Sequence, residues 1–219
     1  VKTVTATKRN VPLEHLFFDY ELGITTLDDI KKALASSDHH GQMKRGKRGK
    51  RERVPEANHI DLIRELGPEK LPCFFFSFSR RDCQQKAGEL AKSNLFQKDP
   101  KILAALQAKL RDAPPDIHKL NSTRSLKEII SQGIAFHHAG LLPVIKQAVE
   151  ELFGAGLIKV LYTTETFAVG INMPARTVCF NSLRKYDGRN FRALNTKEYF
   201  QIAGRAGRRG IDPIGYVVS

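Results

Sequence analysis

Leu71-Pro72-Cys73-Phe74-Phe75-Phe76-Ser77-Phe78 is a nearly continuous apolar run bounded by polar residues. A strand wet on one face alternates apolar and polar side chains, whereas a strand covered on both faces reads as an unbroken apolar stretch. This octet therefore predicts a strand deep inside a layered sheet. Residues 81–92 follow it with Cys83, Ala87, Leu90 and Ala91 at helical spacing, and the same succession recurs down the chain. Residues 99–110 predict an amphipathic helix with Asp99 as cap and Pro100 in its first position. Ser125-Leu126-Lys127-Glu128 is a capping-box pattern that predicts a short helix opening at Ser125. Residues 133–136 read as a strand, 143–153 as a helix begun by Pro143 and stopped by Gly154, and 157–162, 177–180 and 216–218 as further buried strands. Apolar strands alternating with helices predict an α/β fold, a parallel sheet with helices on both faces. Upstream the pattern is looser: Val1 to Ala6 alternates as an edge strand would, Leu16-Phe17-Phe18 is a second short strand, and Thr26 opens a helix over 27–34.

A length of 219 residues suits one domain with a real core. No apolar run approaches the ~20 residues that cross a bilayer, and the first residues lack the charged and apolar regions of a secretory signal. A soluble, intracellular protein of the cytoplasm or nucleus, with no membrane partner, is expected. The formal net charge of +13 and the pI near 9.8 point to a polyanionic partner. Cys73, Cys83 and Cys179 are scattered in apolar contexts, which suits reduced thiols and supplies neither a zinc pattern nor a disulfide framework. No metal site is predicted.

Chemistry concentrates in Gln201-Ile202-Ala203-Gly204-Arg205-Ala206-Gly207-Arg208-Arg209-Gly210, where three glycines and three arginines occupy ten residues. Glycine permits close backbone approach, and guanidinium forks match phosphate oxygens. The preceding Thr196-Lys197-Glu198-Tyr199-Phe200-Gln201-Ile202-Ala203 reads as a short helix capped by Thr196. Arg205 and Arg208 then fall on the turn that ends it. A solvated basic loop or a disordered RGG-like tract would be the alternative, but a periodic helix before and an apolar strand after argue for a fixed turn.

This stretch resembles motif VI of the superfamily-two helicases. Thr163-Thr164-Glu165-Thr166-Phe167-Ala168-Val169-Gly170-Ile171-Asn172-Met173-Pro174 is similar to motif V of the superkiller-type DExH RNA helicases, and Phe136-His137-His138-Ala139-Gly140-Leu141-Leu142-Pro143 and Phe76-Ser77-Phe78-Ser79-Arg80-Arg81-Asp82-Cys83 resemble that family's preceding motifs. The spacer from Arg184 to Arg192 is also similar, and upstream of residue 70 only Lys8-Arg9-Asn10-Val11-Pro12-Leu13-Glu14 matches. The resemblance implies the second RecA-like domain of an ATP-dependent RNA helicase that acts on single-stranded RNA, with ATP and Mg²⁺ bound against a first RecA-like domain in the same chain and an RNA-degrading complex as a partner. It assigns Ser77, Ser79, Arg80, Arg81, His138, Gly140 and Thr164 to the nucleic-acid backbone. Gly170, Asn172, Gln201, Gly204, Arg205 and Arg208 fall to the nucleotide, with Arg205 and Arg208 in the catalytic role. Ser77 to Arg81, His138, Gly140, Thr164 and Gly170 follow the ends of predicted strands, where open parallel sheets bind ligands.

Other features carry less. Glu165 is expected to orient its turn, because in this family the acid that activates water lies on the first domain. Phe74-Phe75-Phe76 are expected in the core. Arg184, Lys185, Arg189 and Arg192 with Tyr186 and Phe191 suit either a single-strand path or a solvated loop. Residues 41–53 hold seven Lys or Arg against one Glu, so +6 of the charge sits there. Gly41, Gly46 and Lys47 mimic a P-loop, but Arg48 replaces its Ser or Thr and no buried strand precedes it. The expected organisation is a connector over 1–40, a basic linker or insertion over 41–58 and the RecA-like domain over 59–219. A DNA helicase of the same superfamily and a non-catalytic nucleic-acid-binding module are the rival readings.

Overall fold

The computed structural model describes residues 9–38, 58–170 and 173–219. Its main sheet has seven strands: β1 (Leu13–Asp19), β2 (Gly23–Thr25), β3 (Cys73–Phe76), β4 (Ile134–His137), β5 (Val160–Thr163), β6 (Thr177–Phe180) and, last in the chain, β9 (Gly215–Val218). Their spatial order is β2-β1-β9-β6-β3-β5-β4. Every pairing is parallel except the β1–β2 edge hairpin. Within the stretch expected as a connector, β1 and β2 thus extend the same sheet. The expected edge strand over residues 1–6 and the basic run of 41–53 lie outside the described residues.

The opening octet forms the centre. Cys73 pairs with Val160 on one side and Thr177 on the other, and β3 is buried along its whole length. Because successive side chains point to opposite faces, Phe74 and Phe75 serve two different cores. Phe74 stacks on Phe153 at 4.7 Å and meets the edge of Phe167 at 5.0 Å, beneath α7 (Pro143–Gly154) and α8 (Glu165–Gly170). Phe75 packs against Tyr162 and His59 at 5.1 and 5.9 Å. This second face is closed by α2 (His59–Leu66) and α3 (Arg80–Lys92). His59 is buried there because both ring nitrogens find partners, the Tyr162 hydroxyl at 2.9 Å and Glu89 at 3.0 Å. The remaining helices are α1 (Leu27–Asp38), α4 (Pro100–Lys109), α5 (Pro115–Lys119), α6 (Asn121–Ile129) and α9 (Thr196–Ala203).

Two expected helix starts are corrected. Ser125 lies inside α6, which opens at Asn121; its buried stripe of Thr123, Leu126 and Ile129 reaches upstream of the capping-box pattern and sets the start. Thr196 is the first residue of α9 and Asn195 is its cap. The Asn195 side chain accepts from the Glu198 amide at 2.9 Å, and the Glu198 carboxylate accepts from the Asn195 amide at 2.9 Å. Asn caps better than Thr, and the glutamate stands three residues after Asn195. A two-stranded hairpin, β7 (Arg184–Tyr186) with β8 (Phe191–Ala193), projects between β6 and α9.

Candidate functional site

The residues predicted for nucleic acid gather at the carboxyl ends of β3, β4 and β5. Past β3, the Ser77 amide donates to the Thr163 carbonyl at 2.8 Å, while the buried Ser77 hydroxyl has no partner among the described residues. Ser79 caps α3, its hydroxyl accepting from the Asp82 amide at 3.3 Å. Arg80 and Arg81 occupy the exposed first turn of that helix. Cations there oppose the helix dipole, so the arrangement stabilises the fold little and makes a positive pole suited to a phosphate.

Past β4, His137 and His138 are both buried. His137 Nε2 meets Glu150 on α7 at 2.7 Å. His138 stacks on Phe136 at 5.8 Å, and its Nδ1 accepts from the Gly140 amide at 3.1 Å. Burial, helped by Arg80, lowers its pKa to about 4, so the ring is neutral at pH 7. A neutral ring that accepts at Nδ1 carries its proton on Nε2. The Gln84 amide 2.9 Å away must therefore offer its oxygen there, as amide orientations are set by their network. The Gly140 amide, expected on nucleic acid, is thus engaged by His138. A Cβ at Gly140 would stand 3.1 Å from His138 Nδ1 and 3.4 Å from Arg80 Cδ, so a side chain there needs these neighbours to give by a few tenths of an ångström.

Past β5, the Thr163 hydroxyl donates to the His137 carbonyl at 3.0 Å, tying adjacent strand ends together. Thr164 opens α8, sharing a hydrogen bond with the Thr166 hydroxyl at 3.0 Å. Six residues later the helix ends at Gly170, about 9 Å away along its axis. Asn172 lies outside the described residues. The Arg205 guanidinium reaches the Ala168 carbonyl, with Nε donating at 2.9 Å. The strip after α8 is stitched to the same turn: the Ala175 amide donates to the Arg205 carbonyl at 3.0 Å and the Gly207 amide to the Ala175 carbonyl at 2.7 Å. Thr164, assigned to nucleic acid, precedes the short helix whose Ala168 carbonyl is gripped by Arg205, assigned to nucleotide. Gly204 follows α9 and is exposed, as is Gln201, which borders a cavity of about 250 Å³ with Glu165, Lys185 and Glu198.

Arg208 is held differently. Asp212, buried at 7% exposure, accepts from Arg208 Nε and Nη2 at 2.8 Å each and from its amide at 2.9 Å. In the basic hairpin, Lys185 and Arg192 are paired with acids from α8 and α9. Lys185 bridges Glu165 at 2.7 Å and Glu198 at 2.8 Å, and Arg192 forks onto Glu198 at 2.6 and 2.8 Å. These donors, Arg192 first and Lys185 next, hold the Glu198 carboxyl far below the usual range. Glu165 thus anchors the hairpin to the start of α8. Sequence reasoning missed Asp212 and Arg9. Asp212 stands four residues after Arg208, a weak signal in a glycine-rich turn, and Arg9 lies 195 residues from its partner.

A mostly parallel sheet, with amides, hydroxyls and guanidinium groups gathered beyond its strand ends, is the architecture of a RecA-like domain that handles phosphates. Residues 92–210 match the helicase conserved C-terminal domain family, and the chain belongs to it, within the superkiller-type DExH helicases. It is 43% identical over 170 residues to the human superkiller complex protein 2, covering 73% of this chain and 13% of that protein. With the mouse exosome RNA helicase MTR4 it shares 36% over 225 residues, 96% of this chain and 22% of that one. With the Arabidopsis thaliana DExH-box ATP-dependent RNA helicase DExH11 it shares 35% over 276 residues, all of this chain and 20% of the relative. The chain thus spans about a fifth or less of the length of these relatives. Among the described residues no helix is long and apolar enough to cross a membrane.

Proposed function

We propose that this chain is the second RecA-like domain of an ATP-dependent RNA helicase that moves along single-stranded RNA. The observation that carries the reading is the continuous unit from Thr164 through α8 to Arg205, which gives a contact at one end a rigid path to the other. Ser77, Ser79, Arg80, Arg81, His138, Gly140 and Thr164 form the RNA-backbone side, a set that contacts phosphate and sugar without reading bases. Gly170, Asn172, Gln201, Gly204, Arg205 and Arg208 form the nucleotide side.

The residues fit a triphosphate: two half-buried guanidinium groups stand on one tight turn. When bound, ATP supplies the free energy of hydrolysis. Arg205 stabilises charge developing on the transferred group, and Arg208, steered by Asp212, supports it. Mg²⁺ would be held mainly by the first RecA-like domain. RNA processing in the cytoplasm or nucleus is the setting of this proposal, and relatives named for the superkiller complex and the exosome support an RNA-degrading complex as partner.

The test is strand displacement by the full-length protein on RNA and DNA duplexes with single-stranded tails, alongside ATPase stimulated by each single strand. RNA-dependent displacement is expected. Displacement of DNA alone would make the protein a DNA helicase, and binding without stimulated hydrolysis would make it a non-catalytic module.

A further inference from the structure

The two carbonyls that flank Arg205 are held from the far end of the chain. Arg9 Nη2 donates to the Gly204 carbonyl at 2.9 Å and to the Ala206 carbonyl at 2.5 Å. Gly204 directly follows α9, and the last carbonyls of a helix are short of partners and carry partial negative charge. A guanidinium satisfies both needs at once. Two further contacts fix the strand that brings Arg9 there. Val11 is buried at 5% exposure and fills the space over Gly207, where an added Cβ would lie 2.5 Å from Val11 Cγ1. Gly207 has φ +84°, a conformation that favours glycine. The Pro12 carbonyl accepts from the Gly215 amide at 2.9 Å, and β1 then runs beside β9 in parallel. The Arg205 turn is therefore clamped on two sides, by Ala175 on its own carbonyl and by Arg9 on the carbonyls either side.

We propose that Arg9 is a positioning residue for the reaction, fixing the Arg205 turn so that its guanidinium meets the nucleotide in the productive orientation. The proposal rests on the nucleotide reading of Arg205. A mere packing role would set how stable the domain is, whereas a positioning role sets turnover in protein that is folded. One nitrogen, Nη2, makes both bonds, so the work is that of a single cationic donor. An ammonium can do it in part, unlike the forked contact expected of Arg205 itself.

The experiment is steady-state RNA-stimulated ATPase of the full-length protein with Arg9→Ala, Arg9→Lys, Arg205→Ala and the Arg9→Ala/Arg205→Ala double variant, each checked by thermal melting. Arg9→Ala is expected to lower kcat by about 10- to 100-fold, the scale of a small misplacement of a catalytic group. KM for ATP and RNA affinity should stay within about twofold, because the lost contact orients a transition-state group and binds neither ligand. Arg9→Lys should recover a large part of kcat, and the double variant should be no slower than Arg205→Ala alone. Normal kcat in Arg9→Ala, with Arg205→Ala inactive, overturns the proposal alone. Normal kcat in Arg205→Ala overturns the nucleotide reading on which it rests. If Arg9→Ala melts below the assay temperature, Arg9→Met, which keeps the aliphatic stem without a donor, takes its place: reduced kcat in folded protein supports the proposal and unchanged kcat overturns it.

Discussion

Asp212 grips Arg208 through both carboxylate oxygens, each 2.8 Å from a guanidinium nitrogen, so the second arginine of the turn enters any reaction already oriented. The same carboxylate also accepts the Arg208 amide and lies 3.9 Å from Arg176. The hydrogen bonds from Arg208 are the main reason its pKa is lowered.

Replacing Asp212 by Asn should therefore cost stability, about 1.5–3 kcal/mol for hydrogen bonds to a charged group. The sign with pH follows from the depressed pKa. The carboxylate's contribution is complete above its unfolded pKa near ~4 and is lost as pH falls through the lower folded value. Denaturant melts of the parent and Asp212→Asn should differ most at neutral pH and converge in acid. A constant difference down to the lowest pH tolerated would mean that the pair contributes through shape and not through charge.

His138 gives the opposite part of the pH range. Its folded pKa of about 4 lies below the ordinary ~6.5, so between those values the unfolded chain binds a proton that the folded chain refuses. Stability should fall as pH drops from 6.5 towards 4, with a slope approaching about one proton for this residue. His59 and His137 are lowered by burial in the same direction and add to the slope. His138→Asn, which keeps an acceptor for the Gly140 amide, should flatten the dependence in that window. Melting temperature against pH measures it, and an unchanged slope would place the acid sensitivity at the other two histidines.

How far the sequence could be read depends on where the information sits. Cys73 to Phe76, Val160 to Thr163 and Thr177 to Phe180 announce their burial by their own composition, so the parallel sheet was legible. Arg184 to Tyr186 and Phe191 to Ala193 do not. Phe191 is 68% exposed, and the hairpin is held by ion pairs from Lys185 and Arg192 to Glu165 and Glu198, partners that no local pattern reveals. In the site, the stretch from Ser77 to Arg81 past β3 and the Arg205 turn were visible from spacing and resemblance. The Arg9 clamp was not, because it joins segments at opposite ends of the chain.

The middle of the opening octet should dominate stability. Phe74 is fully buried between Phe153 and Phe167, and its truncation leaves a cavity that rigid strands on both sides cannot close. Phe74→Ala should cost about 3–5 kcal/mol, and Phe74→Leu less. A loss below 1 kcal/mol in denaturant melts would mean that α7 and α8 collapse onto the sheet, against the packing seen here.

Neither an intact P-loop nor a DExH sequence occurs among these 219 residues. The chain by itself should accordingly show no ATPase above a mock-purified control, and turnover by it alone would overturn a nucleotide site shared with another domain.

Arg205 and Arg208 separate by what each already holds. Arg205 donates its Nε to the Ala168 carbonyl and so is tied to the end of α8. Arg208 is neutralised by Asp212. In the full-length protein, Arg205→Ala should cut RNA-stimulated kcat by about 10³-fold or more, the lower end for an arginine finger, with RNA affinity in the absence of nucleotide little changed. Arg205→Lys should rescue poorly, because an ammonium cannot reproduce the planar fork. Arg208→Ala should lower kcat and also destabilise the domain, because it leaves the buried Asp212 carboxylate with a distant Arg176 as its remaining cation. The double variant Arg208→Ala/Asp212→Asn should regain stability and not turnover. If it regains both, Arg208 serves only to neutralise Asp212. If both alanine variants hydrolyse ATP normally and lose RNA binding, the turn belongs to the RNA track and the catalytic assignment is wrong.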